Sequence, residues 1–236
     1  MNLSKRIRYF FVHLACSLLV GVALLALVFF VWYPAPLASA EGVTRIFLML
    51  IVIDVMVGPL LSLLVYKERK KTLKMDLSII VLIQVLAMGY GINAITQSRP
   101  AWIVQAGWLF EVVPANVVDT KDQKQAAPDY KHNGWLQPQW VAVDDAKNPN
   151  NLFAAPQLMP TTYNDLSYAD QRLKQHAQTL ASLQQFNTET DIQNVLKDYP
   201  TAKYWMPLRA TGVGLTVLLD SEYKVIQAVD LRPWRE

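Results

Sequence analysis

An acidic residue lies inside an apolar segment, where its type and position could support binding of a partner helix. Asp54 falls within residues 44–66, about 23 residues that as a helix would cover ~35 Å and cross a bilayer. By residue count Asp54 would lie near the membrane centre, where a carboxylate costs roughly 2.5–3.5 kcal/mol to insert. It predicts either a polar anchor for a partner helix or an internal hydrogen bond to Ser62, Gln84, Asn93 or a water molecule.

A glycine–proline pair follows Asp54 by about one helical turn. Proline inside a helix removes a backbone hydrogen bond and bends the helix, which membrane proteins tolerate where neighbouring groups satisfy the freed carbonyl oxygens. Gly58-Pro59 therefore predicts either a kink that serves packing or a hinge that moves. With Asp54, these residues are the candidate partner-binding residues of the membrane part.

A basic loop comes directly after this apolar segment. It contains one acid, Glu68, and five basic residues: Lys67, Arg69, Lys70, Lys71 and Lys74. Basic clusters beside a membrane helix stay in the cytoplasm. Topology alone explains the cluster, and two further roles stay open: binding of anionic lipid, at ~1 kcal/mol per residue near the surface, or binding of a cytoplasmic protein.

Residue types and spacings give no catalytic or metal-binding pattern. The histidines, His13, His132 and His176, lack the spacing of metal ligands, and Asp144-Asp145 is an acidic pair typical of a solvated turn. A phosphate loop, a nucleophile elbow and a zinc pattern are all missing from the sequence. We predict a protein that is not an enzyme, has no cofactor or metal site and takes no small-molecule substrate.

Three apolar runs predict a membrane domain over residues 1–98. The predicted helices cover about residues 9–33, 44–66 and 75–97. The first run could be a signal peptide, because Ala38-Ser39-Ala40 resembles a cleavage site, but its length favours a retained helix. Basic residues before the first run and in the 67–74 loop place both segments in the cytoplasm.

Charge is distributed unevenly along the 236 residues. Residues 1–98 carry nine basic and four acidic side chains, whereas residues 99–236 carry 13 and 15. The basic excess flanks the predicted membrane helices, so it does not indicate a nucleic-acid partner. Three crossings would put residues 99–236 outside the cytoplasm, in the periplasm if the cell is Gram-negative.

The outer region, residues 99–236, predicts one small α+β domain. Residues 101–113 have a β-like pattern, residues 161–186 have helical spacing, and residues 188–198 predict a short helix with Thr190 as a possible cap. Residues 202–208 predict a strand, and residues 213–219 and 223–231 predict a hairpin. A domain of this size can hold its own core, so we expect it to fold alone from about Ala101. Most of its tryptophans should be buried, with one or two at a partner surface: Trp102, Trp108, Trp135, Trp140, Trp205 and Trp234.

Several short motifs together resemble the type IV pilin accessory proteins of Gram-negative bacteria. The motifs are Asp54 with Gly58-Pro59-Leu60, Tyr66-Lys67, residues 70–77, Gln84, Gly91, Arg99-Pro100, residues 110–113 and Pro233-Trp234. The resemblance implies three inner-membrane helices, a periplasmic tail and a cognate pilin whose assembly into pili the protein promotes or modulates. It implies contact with inner-membrane pilus machinery and lipid, and it carries no catalytic residue.

The resemblance also bears on Asp54. Pilins carry a glutamate in their own membrane helix, and two carboxylates repel unless one is protonated. A pilin N-terminal amine is a better electrostatic partner, although it should lie nearer the cytoplasmic face. Two other functions stay open: an extracytoplasmic sensor, which would lack a cytoplasmic output domain here, and a structural subunit of another envelope complex.

Overall fold

The computed structural model describes residues 4–132, 136–147 and 155–235, so Trp135 lies outside the described residues. It contains two compact units, which we call the membrane unit (Met1–Phe30 and Val43–Thr96) and the sheet unit (Val31–Gly42 and Gln97–Glu236). Long apolar helices come first and a small mixed-sheet domain follows. The predicted fold class, an α+β membrane protein, is confirmed.

In the part of the chain that the structure describes, three helices are long and apolar enough to cross a membrane. Helix α1 covers Lys5–Leu27 and continues as a π-helical turn over Val28–Trp32. After a short helix α2, Leu37–Ala40, come α3, Val43–Val65, and α4, Leu73–Ser98. Pro59 lies inside α3, which continues through it.

Helix α3 packs against both other long helices, and glycines make the close approach possible. A Cβ atom on Gly21 of α1 would lie 3.2 Å from side-chain atoms of Ile51 and Val55. A Cβ atom on Gly91 of α4 would lie 2.4 Å from Leu50, which is too close for any real contact. Small residues at such crossings let helices pack tightly in lipid, where van der Waals contact drives association.

The strands of the sheet unit form one mixed sheet in the order β4-β3-β1-β2-β6-β7-β8, and β5 pairs with β6. Their bounds are β1 Pro100–Ala106, β2 Leu109–Pro114, β3 Gln139–Val143, β4 Tyr163–Asn164, β5 Gln178–Thr179, β6 Tyr204–Arg209, β7 Leu215–Leu219 and β8 Val225–Val229. The pairs β1–β3 and β2–β6 are parallel, and the other pairs are antiparallel.

Two hairpins account for much of this sheet. The β-like run at 101–113 is the first, folded back at Gly107, which has a φ of +59° that favours glycine. The predicted hairpin at 213–231 is the second, formed by β7 and β8. In its turn the Asp220 carboxylate accepts hydrogen bonds from the backbone N–H groups of Glu222 and Lys224. The predicted strand at 202–208 corresponds to β6.

The prediction of helical structure across residues 161–186 is wrong as a single element. The segment forms 3-10 turns at Pro160–Thr162, Leu166–Ala169 and Leu180–Gln185, the strands β4 and β5, and helix α6, Asp170–His176. Leu173 packs in one core cluster and Leu183 in another, so one straight helix could not bury both. Helix α7, Glu189–Leu196, is capped by the Thr188 hydroxyl and not by Thr190.

Three shorter helical segments among the described residues precede this region. Helix α5 covers Thr120–Gln125 and begins at the Asp119 cap, whose carboxylate accepts from the Lys121 N–H. Pro128–Tyr130 and Pro156–Leu158 are 3-10 turns.

The largest core of the sheet unit also contains the segment between α1 and α3. Leu37 and Ala40 are buried against residues of β2, β6 and β7, including Phe110, Met206 and Leu215. The Ala40 carbonyl oxygen accepts hydrogen bonds from the N–H groups at 212 and 213, at 2.8 and 3.0 Å. This segment lies between the helices predicted at 9–33 and 44–66, and its place in the core was not predicted from the sequence.

The described tryptophans of the outer region differ in burial. Trp102 and Trp205 are fully buried, Trp140 and Trp234 are half-buried, with Trp140 against Phe110, and Trp108 is exposed at the turn of the first hairpin. The Trp205 ring nitrogen donates to the Thr179 carbonyl oxygen. The aromatic side chains thus act chiefly as core.

Candidate intramembrane binding groove

A groove of about 580 Å³ runs between α1 and α4 in the membrane unit, with α3 at its base. We call it the α1–α4 groove. Its lining is mostly apolar and comprises Tyr9, Val12, His13, Cys16, Ser17, Val20, Asp54, Val81, Gln84, Val85, Met88, Gly89 and Ile92. Asp54 is the α3 residue in this lining. An apolar groove suits a lipid chain or a helix equally, so its polar residues must decide what it binds.

Gln84 of α4 reaches across the groove to the backbone of α3. Its Nε2 donates to the Asp54 carbonyl oxygen at 2.9 Å, and its side-chain amide also interacts with the Asp54 carboxyl group. The amide lies directly over Gly58, where a Cβ atom would be 2.0 Å from it. Gly58 is therefore the residue that leaves space for this hydrogen bond.

A second polar contact joins α1 to α3 beside the proline. The Ser62 hydroxyl donates to the carbonyl oxygens of Gly58 and Pro59, each at 3.0 Å, and its oxygen lies 2.8 Å from Nδ1 of His13. A hydroxyl has a single proton, and here it is directed at the backbone. The network therefore assigns the proton of this contact to His13 Nδ1, which leaves Nε2 of the neutral ring as an acceptor.

The groove therefore presents acceptors. The Asp54 carboxylate and His13 Nε2 can accept hydrogen bonds, and Gln84 Oε1 is buried without a hydrogen-bond partner among the described residues. We call Asp54, Gln84 and His13 the acceptor floor. An acceptor without a donor costs free energy in hydrocarbon as in a protein core, so a donor that reaches the Asp54 carboxylate or His13 Nε2 from the groove would be stabilised.

These contacts bear on the alternatives for Asp54. Of the side chains considered from the sequence, Gln84 contacts Asp54, whereas Ser62 bonds to His13 and to its own helix. Asn93 is exposed and does not line the groove. His13 was missed as a groove residue. The signal was a polar stripe on α1, with Tyr9, His13, Cys16 and Ser17 at helical spacing.

The basic residues lie around one end of the membrane unit. Arg6 Nε donates to the Leu63 carbonyl oxygen at 2.6 Å, near the C-terminal end of α3, where carbonyl oxygens lack helical partners. In the basic loop, Lys70 forms an ion pair with Asp76 at 2.6 Å. Lys74 lines a second cavity of about 610 Å³, which shares Tyr9, Val81 and Val85 with the α1–α4 groove. The groove thus continues towards this basic end.

The other residues considered for chemistry either have structural contacts or are exposed. In the sheet unit, Asp145 pairs with Arg172, which also donates to the Val143 carbonyl oxygen at 2.6 Å. Burial opposes ionisation of Asp144, but the backbone N–H of Ala146 and the side chain of Asn164 outweigh it and lower the pKa of Asp144. His132 and His176 are exposed. Among residues 4–132, 136–147 and 155–235, no three His, Cys, Asp or Glu side chains cluster as metal ligands.

Comparison with known proteins relates the sequence of this chain to a family. The profile of the family described as "Fimbrial assembly protein FimB" matches residues 1–42. The fimbrial assembly protein of serogroups C1 and C2 of Dichelobacter nodosus is 37% identical over 95 residues, which cover 39% of this chain and 72% of that protein. The chain belongs to the FimB family of fimbrial assembly proteins. The resemblance to type IV pilus accessory proteins is thereby confirmed.

Two longer matches extend over most of the chain. The fimbrial assembly proteins of serogroups I and E1 of D. nodosus are each 26% identical over 239 residues, covering 93% of this chain and 93% of the relative. No solved structure matches the chain. Membership of the family therefore indicates a role in fimbrial biogenesis, and the structure shows the α1–α4 groove as a candidate binding site.

Proposed function

We propose that this FimB-family chain is an accessory factor for type IV pilus biogenesis that binds a cognate pilin in the inner membrane. The membrane helices hold the apolar segment of the pilin in the lipid plane and so promote or modulate its assembly. The sheet unit contacts the pilin head or another pilus component. The mechanism is binding, and it needs no catalytic residue.

The observation that carries this proposal is the α1–α4 groove with its acceptor floor. A polar group at that depth is costly, and ionisable residues within membrane segments usually face a bundle interior or a functional cavity. Here Asp54 and His13 both line one groove, whose other lining residues run from Tyr9 to Val20 on α1 and from Val81 to Ile92 on α4. The names of the relatives, all fimbrial assembly proteins, supply the class of partner.

The proposed orientation rests on the basic residues. Lys5, Arg6 and Arg8 precede α1, and the basic loop follows α3, so both would lie in the cytoplasm and the sheet unit in the periplasm. A reporter enzyme fused after Trp234 should then be active only outside the cytoplasm. Cytoplasmic activity of that fusion would mean that one of the helices does not cross.

Photo-crosslinking in cells tests the binding of pilin directly. Val85 lines the groove and is 61% exposed at the surface of the unit, whereas its neighbour Leu86 is 63% exposed and lies outside the groove lining. A crosslinking amino acid at position 85 should capture the pilin, and the same amino acid at 86 should capture much less. Equal capture at both positions, or capture of lipid alone, would contradict the proposal.

A further inference from the structure

We infer that the α1–α4 groove selects a membrane-spanning helix that carries a hydrogen-bond donor, with a cationic donor bound most tightly, at the depth of the acceptor floor. This inference rests on the proposed function, because it names the chemistry that the groove would recognise in its partner. It goes beyond that function by stating which helices bind and which do not. The occupant is a helix from another protein, chosen by charge complementarity.

The first step is the inventory of polar atoms in the groove. Gln84 uses Nε2 on the Asp54 carbonyl oxygen, so its remaining polar atom, Oε1, is a buried acceptor without a partner among the described residues. His13 uses Nδ1–H on Ser62 and keeps an acceptor at Nε2. The Asp54 carboxylate is acceptor-only when ionised.

The second step is the match between these atoms and an occupant. A lipid acyl chain supplies no donor to the Asp54 carboxylate or to Nε2 of His13, which both line the groove. A helix with an acidic group at the same depth would place a second carboxylate beside Asp54, which is unfavourable unless one carries a proton. A helix with an amine or hydroxyl supplies the donor, and an amine adds charge attraction to Asp54, which strengthens the hydrogen bond.

The third step is the support for the acceptor floor. The Gln84 amide rests on Gly58, whose missing side chain leaves it space, and Ser62 holds the ring of His13. Both supports surround Pro59 on α3, so the acceptors are positioned before any partner binds. Such preorganisation reduces the entropy lost on binding.

The test uses the full chain, fused to a fluorophore at its C-terminus, in phosphatidylcholine vesicles with labelled transmembrane peptides. The three peptides are identical leucine–alanine helices that differ at one central residue. That residue is 2,4-diaminobutyrate, which carries a short amine, in the first peptide, leucine in the second and aspartate in the third. Energy transfer gives each affinity. We expect the amine peptide to bind about tenfold more tightly than the leucine peptide, given the strength of interhelical and charge-assisted hydrogen bonds. The aspartate peptide should not exceed the leucine peptide.

Variants identify the groups responsible. The amine preference should fall to about threefold or less in Asp54→Leu and should decrease in Gln84→Leu, whereas Asn93→Leu, a polar-to-leucine change outside the groove, should keep it. If Asp54→Leu does not insert, Asp54→Asn replaces it, since it retains the shape and removes the charge. Equal affinities of the three peptides for the unchanged protein would overturn the inference, and so would an amine preference that survives both groove variants.

The outcomes separate this inference from the proposed function. The peptides contain no pilin sequence, so equal peptide affinities combined with capture of pilin from position 85 would refute donor selection alone. An amine preference without capture of pilin would refute the pilin as the partner and keep the donor-selecting groove. Energy transfer between two labelled copies of this chain that the amine peptide cannot displace would assign the groove to self-association and overturn the inference.

Discussion

The membrane unit buries several small or polar residues beside its apolar ones, whereas the sheet unit buries chiefly large apolar side chains. In α1 the buried residue is Gly21, and α3 buries Gly58, Pro59 and Ser62 together with Val43, Phe47 and Ile51, while other large apolar side chains such as Leu64 are exposed. In the sheet unit the largest fully buried side chains include Trp102, Trp205, Tyr33 and Tyr163.

The difference follows from the solvent of each unit. Water drives large apolar side chains into a core, because their transfer from water is favourable. Lipid is as apolar as leucine, so membrane helices associate through small residues and hydrogen bonds. Substitutions of large side chains should therefore matter most in the sheet unit, and added methyl groups should matter most in the membrane unit.

The largest expected effect is the loss of a buried aromatic side chain from the sheet unit. Trp205→Ala removes a fully buried ring and its hydrogen bond to Thr179, so we expect a loss of about 3–5 kcal/mol in the free energy of unfolding. Chemical denaturation of the purified chain in mild detergent, followed by circular dichroism, measures it. Trp108→Ala, at an exposed position, should change stability by no more than ~0.5 kcal/mol. Similar losses for both tryptophans would refute the assignment of Trp205 to the core.

A second expected effect tests whether the segment between α1 and α3 belongs to the sheet unit. Leu37→Ala should lower the free energy of unfolding by about 2–5 kcal/mol, because Leu37 is buried in the largest core. Leu136→Ala is the matched control, since Leu136 is 67% exposed. The sequence predicts that a fragment starting at about Ala101 folds alone. That fragment lacks Leu37 and Ala40, so we expect it to be less stable than a second fragment in which residues 31–42 are added to it. Equal stability of the two fragments would count against the place of residues 31–42 in this core.

A third effect concerns a single methyl group in the membrane unit. Gly58→Ala would place a Cβ atom 2.0 Å from the Gln84 amide, so Gln84 must leave its position. We expect this displacement to lower the free energy of unfolding by about 1–3 kcal/mol. Gly89→Ala is the control, because nothing lies within 4 Å of its added Cβ atom. Thermal denaturation in detergent compares the two. Gln84→Ala in the same chain should make Gly58→Ala nearly neutral, and additive losses in this cycle would show that the two residues do not meet.

The smallest expected effect is the pH dependence contributed by Glu41. Burial raises the pKa of Glu41 above its ordinary value, and hydrogen bonds from Thr211 oppose the increase only in part. The folded chain then keeps the proton to a higher pH than the unfolded chain does, so its stability decreases as pH rises from the ordinary glutamate pKa through the raised one. Thermal melts across that range should show this decrease in the unchanged chain and a smaller one in Glu41→Gln. An identical pH profile for both proteins would exclude Glu41 as its source.

Much of this protein could be derived from local pattern. Uninterrupted apolar runs predict membrane helices because no other short element satisfies its own backbone in lipid, and Asp54 is conspicuous because a carboxylate there is costly. The hairpin of β7 and β8 follows from two β-rich runs around Asp220, whose carboxylate organises the turn locally. These features depend on residues close together in the chain.

Only the tertiary structure decided the features that depend on residues distant in the chain, namely the groove and the membership of the cores. His13 and Gln84 became parts of one groove because α3 packs against both of their helices through glycines at 21, 58 and 91, a contact that no local pattern encodes. Residues 161–186 have helical spacing, yet Leu173 and Leu183 belong to different cores, and this burial overrides their local preference. Leu37 lies in an apparent loop and still completes a core, because burial depends on what surrounds a side chain in space rather than on its neighbours in sequence.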